Sequence, residues 1–157
     1  MIPILDNYHI VPVLYSADYS AGVDFDSINM AGYKRATFII GFGAIAGDAI
    51  LYMYSGATDG AKTSALPFRY AFGGAARGSA NCDVFAATST SAALTITGDA
   101  YDNYMLLVDV DASEMDMANG EHWLTGNLSD AASSGIAFAF ALLTPRYVCE
   151  SSPTALS

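Results

Sequence analysis

Short apolar segments alternate with turn-forming segments along most of this chain, and this alternation restricts the possible folds more than any other feature. The segments are rich in β-branched and aromatic residues, recur at roughly 10–15-residue spacing and lack a helical period. They predict strands over residues 35–43, 48–55, 66–72, 92–97, 104–110, 121–127 and 135–147. One short helix is predicted over residues 112–118. We therefore expect an all-β fold, an antiparallel β-sandwich or jelly-roll-like single domain with an extended N-terminal arm.

Two local patterns add detail to this expectation. The turn-forming residues 56–62, GATDGAK, connect two apolar segments and predict a β-hairpin. In residues 135–141, GIAFAFA, large and small side chains alternate, so they lie on opposite faces of a tightly packed sheet.

The chain divides into three parts. Residues 1–22 contain Pro3 and Pro12 in an apolar setting, which disfavours helix and predicts an extended arm or an edge strand. Residues 23–148 are predicted to form the β-sandwich domain. Residues 149–157 are small and polar, as is typical of a flexible tail.

Composition excludes several classes of protein. Hydrophobic residues make up 53% of the 157 residues and charged residues 14%, which excludes a disordered chain, and two cysteines cannot staple a disulfide scaffold. The net charge of −10 argues against nucleic acid as a partner. No apolar run reaches the ~18 residues of a membrane span, and no Lys or Arg precedes Lys34, so we expect a soluble protein without a signal peptide.

The surplus of apolar over charged residues raises the question of what covers the surface. Small residues can cover part of it. Burial against other subunits would cover the rest, because obligate interfaces resemble a domain core cut in half.

No group of residues predicts an enzyme or a cofactor site. The GFGAIAG motif at 41–47 resembles a loose dinucleotide fingerprint, but a strand pattern follows it, so we interpret the glycines as a bend. His9 and His122 have no nucleophile or second ligand at local spacing, so both are interpreted as structural or surface histidines.

Acidic residues and cysteines leave alternatives open. Asp109, Asp111, Glu114 and Asp116 form the densest acidic cluster, which we interpret as a solvated edge, with a cation site as the weaker alternative. No metal site is predicted otherwise. Cys82 and Cys149 are expected to be buried thiols, with a disulfide between them as the alternative.

Three groups of segments together resemble small structural proteins of tailed bacteriophages that serve as capsid decoration, or cement, proteins. The groups are residues 25–30 with 33–40; residues 48–51 and 54–57 with 63–70; and residues 107–112 and 124–129 with the closing ALLTPRY at 141–147. The resemblance covers roughly residues 22–147 and is one of pattern and spacing. The chain departs from it at Thr144, where Ser-Gly would precede Pro-Arg-Tyr.

The resemblance implies a virion protein without enzymatic activity. It implies a jelly-roll-like domain that binds the outer surface of the assembled head as a homotrimer and stabilises it. The partners would be the major capsid protein and other copies of this chain. The protein would be synthesised in the host cytoplasm and reside on the outer capsid surface.

The N-terminal arm is our candidate for the capsid or subunit interface. Its apolar side chains exceed what a free tail carries; they are Ile2, Ile4, Leu5, Tyr8, Ile10 and Val11. The alternative is that residues 1–16 form an edge strand of the domain.

Two other functions remain open. One is a tail or neck component, or a receptor-binding module for glycans, which needs exposed aromatic residues. The other is a hydrolase, which needs a histidine beside a carboxylate and a nucleophile.

Overall fold

Alternating burial along the strands shows why this sequence forms two sheets that face each other. The structure is a computed structural model, and it describes residues 7–147 and 154–156. The strands are β1 (His9–Asp18), β2 (Val23–Asp24), β3 (Ile28–Asn29), β4 (Tyr33–Ile45), β5 (Ala49–Gly56), β6 (Ser64–Leu66), β7 (Phe68–Phe72), β8 (Ser89–Ser91), β9 (Leu94–Ile96), β10 (Met105–Asp111), β11 (Trp123–Leu128) and β12 (Gly135–Pro145).

Both sheets are antiparallel. The first sheet has the order β1-β12-β4-β10-β7-β8, and the second has the order β2-β11-β5-β6, with β3 beside β11 and β9 beside β5. The prediction of an all-β antiparallel sandwich is confirmed.

The core lies between the two sheets. The first sheet contributes large side chains from its central strands, and the second sheet contributes aliphatic ones from β5 and β11. The fully buried members include Phe38, Ile40, Leu51, Met53, Leu106, Val108, Leu124 and Leu128. Full burial of each large side chain stabilises the fold by about 1.5–3 kcal/mol before conformational entropy is counted.

The predicted hairpin is present, but the strand predicted after it is interrupted. Strands β5 and β6 pair with Met53 opposite Leu66 and Ser55 opposite Ser64. The prediction of one strand over residues 66–72 is wrong, because the chain leaves the second sheet after Leu66 and enters the first sheet at Phe68. Pro67 lies at this crossing, where its missing N–H does not interrupt a ladder.

The segment predicted as a short helix forms two separate 3-10 turns, Ala112–Glu114 and Met117–Asn119. The Asp111 carboxylate accepts a hydrogen bond from the Ser113 N–H and caps the first turn. Met115, which lies between the turns, is buried in the core. Anchoring of this side chain keeps the segment from continuing as one helix.

The glycines of the GFGAIAG motif do not form a nucleotide-binding loop. Gly41 and Gly43 lie within β4, and the next element after the motif is β5, which begins at Ala49. The strand predicted after the motif is confirmed, but the first two glycines belong to β4 and not to a bend.

The two ends of the described chain pack against the domain. Strand β1 is an edge strand paired with β12, with His9 opposite Leu143 and Asp18 opposite Ile136. Ala155 is buried, and its carbonyl accepts a hydrogen bond from the Asn29 N–H. Residues 154–156 therefore differ from the flexible tail predicted for residues 149–157.

Candidate interaction surface

Strand β12 places its small side chains inward and its large ones outward. Ala137 and Ala139 are at most 2% exposed, whereas Ile136 and Phe138 are each 45% exposed on the opposite face. The sequence predicted this separation of sizes without indicating which face meets the core. The facing strands bring their own large side chains to the core, so alanines fill the remaining space there.

The neighbouring strands extend this outward surface. Phe140 of β12 lies between Pro12 of β1 and Ile39 of β4, and Ile39 is opposite Leu107 of β10. These outward side chains are exposed or half-buried, and together we call them the apolar face: Ile10, Pro12, Ile39, Met105, Leu107, Ile136, Phe138, Phe140 and Leu142. Contiguous exposed apolar surface of this kind marks interaction sites on soluble proteins.

One end of the same outer surface is charged. The Thr37 hydroxyl donates a hydrogen bond to Asp109 over 2.8 Å, and the Arg35 guanidinium lies 3.5 Å from both Asp109 and Asp111. Arg69 of β7 is opposite Asp109 of β10. We call Arg35, Arg69, Asp109 and Asp111 the charged end; its charges sum to zero.

Asp111 is held in its ionised form at this end. Hydrogen bonds from the backbone N–H and the hydroxyl of Ser113 lower the pKa of Asp111, and Arg35 adds to the effect. A depression of about 330 Å³ lies beside it, lined in part by Arg69 and Glu114. Among its lining residues, Arg35, Asp109, Asp111 and Ser113 contact one another.

The acidic cluster does not assemble into a cation site. Asp109 and Asp111 contact Arg35, and Asp116 accepts a hydrogen bond from the Asn119 amide over 2.7 Å. Glu114 lies at the edge of the depression. Within residues 7–147 and 154–156, no three Asp, Glu, His or Cys side chains come close enough to hold a metal ion.

The predicted interface residues of the arm have different fates. Tyr8 is 40% exposed and Ile10 is 38% exposed, so both are accessible to a partner. Val11 is 2% exposed and belongs to the core, which corrects its assignment to an interface. It points inward because side chains alternate along β1. Ile2, Ile4 and Leu5 lie outside the described residues.

The contacts of the two histidines within the described residues are with a tyrosine and a methionine. His9 Nδ1 lies 2.5 Å from the Tyr33 hydroxyl, and His122 Nδ1 lies 3.1 Å from the Met117 sulfur. Burial lowers the pKa of His9, which favours the neutral imidazole. A histidine with a tyrosine partner, and another with a thioether partner, do not form the contacts with a carboxylate and a nucleophile that a triad requires.

Two polar clusters in the second sheet had no clear signal in the sequence. Glu121 is buried, and it accepts hydrogen bonds from the hydroxyls of Ser55 over 2.5 Å and Ser64 over 3.2 Å. The Thr125 and Ser27 hydroxyls lie 2.7 Å apart, and both are buried. These groups satisfy one another within the structure, as buried polar groups generally do.

The outer side of the second sheet carries an aromatic pair. The rings of Tyr52 and Tyr54 are 5.8 Å apart and half-buried, and Tyr52 is opposite Asn127 of β11. The Asn127 amide donates to Asp24, which also binds Lys62. Aromatic rings beside amide and carboxylate groups have the chemistry that sugars contact.

Of the two cysteines, the described residues include Cys82 alone. Cys82 is half-buried in the loop after β7, and among the described residues it forms no disulfide. Cys149 lies outside the described residues.

No protein-family model matches the chain, and a search of curated proteins finds no match. In the part of the chain that the structure describes, no helix has the length and apolar character needed to cross a membrane.

Proposed function

We propose that this chain is a virion structural protein that decorates an assembled phage head and stabilises it. The observation that carries the proposal is the apolar face, which lies on the outside of the first sheet, exposed or half-buried. A surface of this composition is suited to being covered by protein, which is typical of a chain that belongs to a larger assembly. The resemblance to cement proteins supplies the identity of the assembly.

Stabilisation of a shell by such a protein needs only differential binding. A cement protein binds the assembled shell and not the free shell subunits, so each bound copy shifts the equilibrium towards the shell. Repetition over many sites multiplies a modest effect per copy. The net charge of −10 suits the outer surface, because packaged DNA lies on the other side of the shell.

The N-terminal segment is the proposed anchor to the major capsid protein. It is apolar through Ile2, Ile4 and Leu5, and it leads into Tyr8, which is exposed. Each such side chain contributes about 1.5–3 kcal/mol on burial, reduced by the ordering of the segment. Copies of this chain are the second proposed partner, three to a site in the arrangement that the resemblance implies. The protein would reach the outer capsid surface after synthesis in the host cytoplasm.

Co-sedimentation with undecorated heads tests the function. The full chain should pellet with heads saturably, and heads that carry it should withstand higher temperature. A variant lacking residues 2–8 should remain folded, because β1 begins at His9, and should stay in the supernatant. Tyr147→Ala, at a side chain 82% exposed in another segment, is the control that should still bind.

The outcomes separate the function from the anchor. A full chain that never pellets with heads contradicts the decoration function. A truncated chain that binds at full occupancy refutes the anchor alone.

A receptor-binding module of the same particle, such as a tail or neck component, is the second candidate. The aromatic pair Tyr52 and Tyr54 beside Asn127 favours it, because sugar rings stack on aromatic faces and bond to amides. A glycan array tests this candidate: binding that Tyr52→Ala abolishes would support it. The absence of any bound glycan together with binding to heads would remove it.

A further inference from the structure

We propose that a second copy of this chain covers the apolar face, with the same face of each copy packed against that of the other. Two-fold pairs that use one patch twice are the commonest closed assemblies of soluble proteins. The inference concerns contacts between copies: it gives two copies where the resemblance implies three, and it leaves the segment before β1 as the contact with the head.

The size of the surface suits a stable pair. The surface crosses five strands of the first sheet, in the order β1, β12, β4, β10 and β7, and runs from Ile136 to Thr144 along β12. Standard strand spacings give it a width of about 24 Å and a length of about 30 Å. Burial of this area on both copies removes roughly 1,400 Å² from water, within the range of specific protein interfaces.

The low net charge of this surface favours contact between two copies there over contact through the acidic remainder of the chain. The chain carries a net charge of −10, so most contacts between two copies would bring like charges together. The charged end has two arginines and two aspartates, and the rest of the outward surface defined here is apolar. Two copies that meet at this neutral surface avoid the repulsion that other orientations would produce.

A two-fold pair also matches the distribution of apolar residues better than a three-fold ring. A ring uses two different patches on each copy, so it would need a second apolar surface. Outside the strands of the first sheet, the large apolar side chains that are most exposed among the described residues are Val84 and Tyr147, which lie in separate segments. Among the described residues, the apolar face alone is extended enough to pack against the same face of a second copy.

The edges of the first sheet are poorly suited to adding a strand from another copy. Strand β1 contains Pro12, which has no N–H, and its pairing with β12 shifts register twice. The carbonyl of Val13 already accepts a hydrogen bond from the Asp26 N–H. At the other edge, β8 is three residues long. Packing of one sheet face on another remains the available mode.

The largest exposed side chains of the surface lie close to the sheet. The Phe138 ring lies over Gly41 of the neighbouring strand, and Ile136 lies over Gly43. Glycines at these positions let the large side chains lie on the sheet instead of projecting from it.

Light scattering across a dilution series tests the pair, with the full chain and single variants. The wild-type protein should show twice the chain mass of 16.4 kDa. Phe138→Lys should show the mass of one chain at the same concentration, with a dissociation constant raised at least about 30-fold, as for central interface residues. Ile136→Lys, equally exposed, is a second variant in case the first fails to fold. Val84→Lys is the matched control and should keep the mass of two chains.

Three results would overturn the inference. They are a wild-type mass of one chain, a wild-type mass of three chains, and a Phe138→Lys variant that folds and keeps the mass of two. Sedimentation with heads is measured on the same samples. A protein that pairs and ignores heads contradicts only the decoration function, and a monomer that binds heads contradicts only the pair.

Discussion

The aromatic ring of Phe138 on β12 occupies the space above Gly41 on β4 where any other residue would place its Cβ. The two residues are cross-strand partners on the outer surface of the first sheet. Because Gly41 has no side chain, the ring can lie close to the backbone of β4. The same relationship recurs in the core, where the ring of Phe25 lies against Gly126 of β11.

These two glycines should respond differently to alanine. Gly41→Ala should change the free energy of unfolding by less than about 0.5 kcal/mol, because the exposed Phe138 ring can swing away. Gly126→Ala should destabilise the fold by about 1–3 kcal/mol, because buried Phe25 has no free space. Chemical denaturation measures both. Equal destabilisation by the two variants would contradict the prediction that the exposed Phe138 ring can move away from a new Cβ.

Removal of the Tyr19 hydroxyl should stabilise the protein. Tyr19 is fully buried, and within the described residues its hydroxyl has no hydrogen-bond partner. Tyr19→Phe should raise the free energy of unfolding at neutral pH by up to about 1 kcal/mol. A loss of stability in this variant would show that the hydroxyl has a favourable partner.

Tyr19 should also affect stability at alkaline pH. Burial, with the nearby charges of Asp102 and Asp18, raises its pKa from 10.0 to about 12. The folded state then holds a proton that the unfolded state releases, so stability is complete below pH 10 and falls as pH rises towards 12. The Tyr19→Phe variant should lose less stability across this range. Denaturation of both proteins at matched pH values provides the measurement.

His9 should make stability dependent on pH under mildly acidic conditions. Burial lowers its pKa below 6.5, so the unfolded state binds a proton more readily than the folded state. The contribution of His9 to the free energy of unfolding is therefore complete above pH 6.5, and it is lost as pH falls through the pKa of His9 in the folded state. His9→Gln should flatten this dependence, whereas Tyr33→Phe should retain it, since burial and not the hydroxyl causes the shift. If the free energy of unfolding of His9→Gln depends on pH as steeply as that of the wild-type protein, His9 is not the group responsible.

The carboxylate of Glu121 should stabilise the second sheet through its serine partners. Glu121→Ala leaves the buried Ser55 hydroxyl without its acceptor and should destabilise the fold by about 1–3 kcal/mol. A double-mutant cycle with Ser55→Ala should give a coupling of about 0.5–3 kcal/mol. Ser64→Ala should have a smaller effect, because Ser64 is only half-buried and water can replace it. Additive effects of the Ser55 and Glu121 changes would refute the coupling.

The fold class was predictable from local patterns, since β-branched and aromatic segments between turns leave few alternatives to a sandwich. The hairpin of β5 and β6 was predictable for the same reason, because GATDGAK specifies a turn without help from distant residues. The division of residues 66–72 was not predictable. Pro67 is compatible with a strand start, and the change of sheet there depends on which strands β6 and β7 pair with.

The apolar face was likewise predictable only in part. Alternation in GIAFAFA determined that phenylalanines and alanines of β12 lie on opposite faces, because side chains on a strand have a period of two. Only the tertiary structure decided that Ala137 and Ala139 face the core while Phe138 faces outward. That choice depends on the volume left between the sheets by residues distant in sequence, such as Phe38 and Met53, and no local pattern records it.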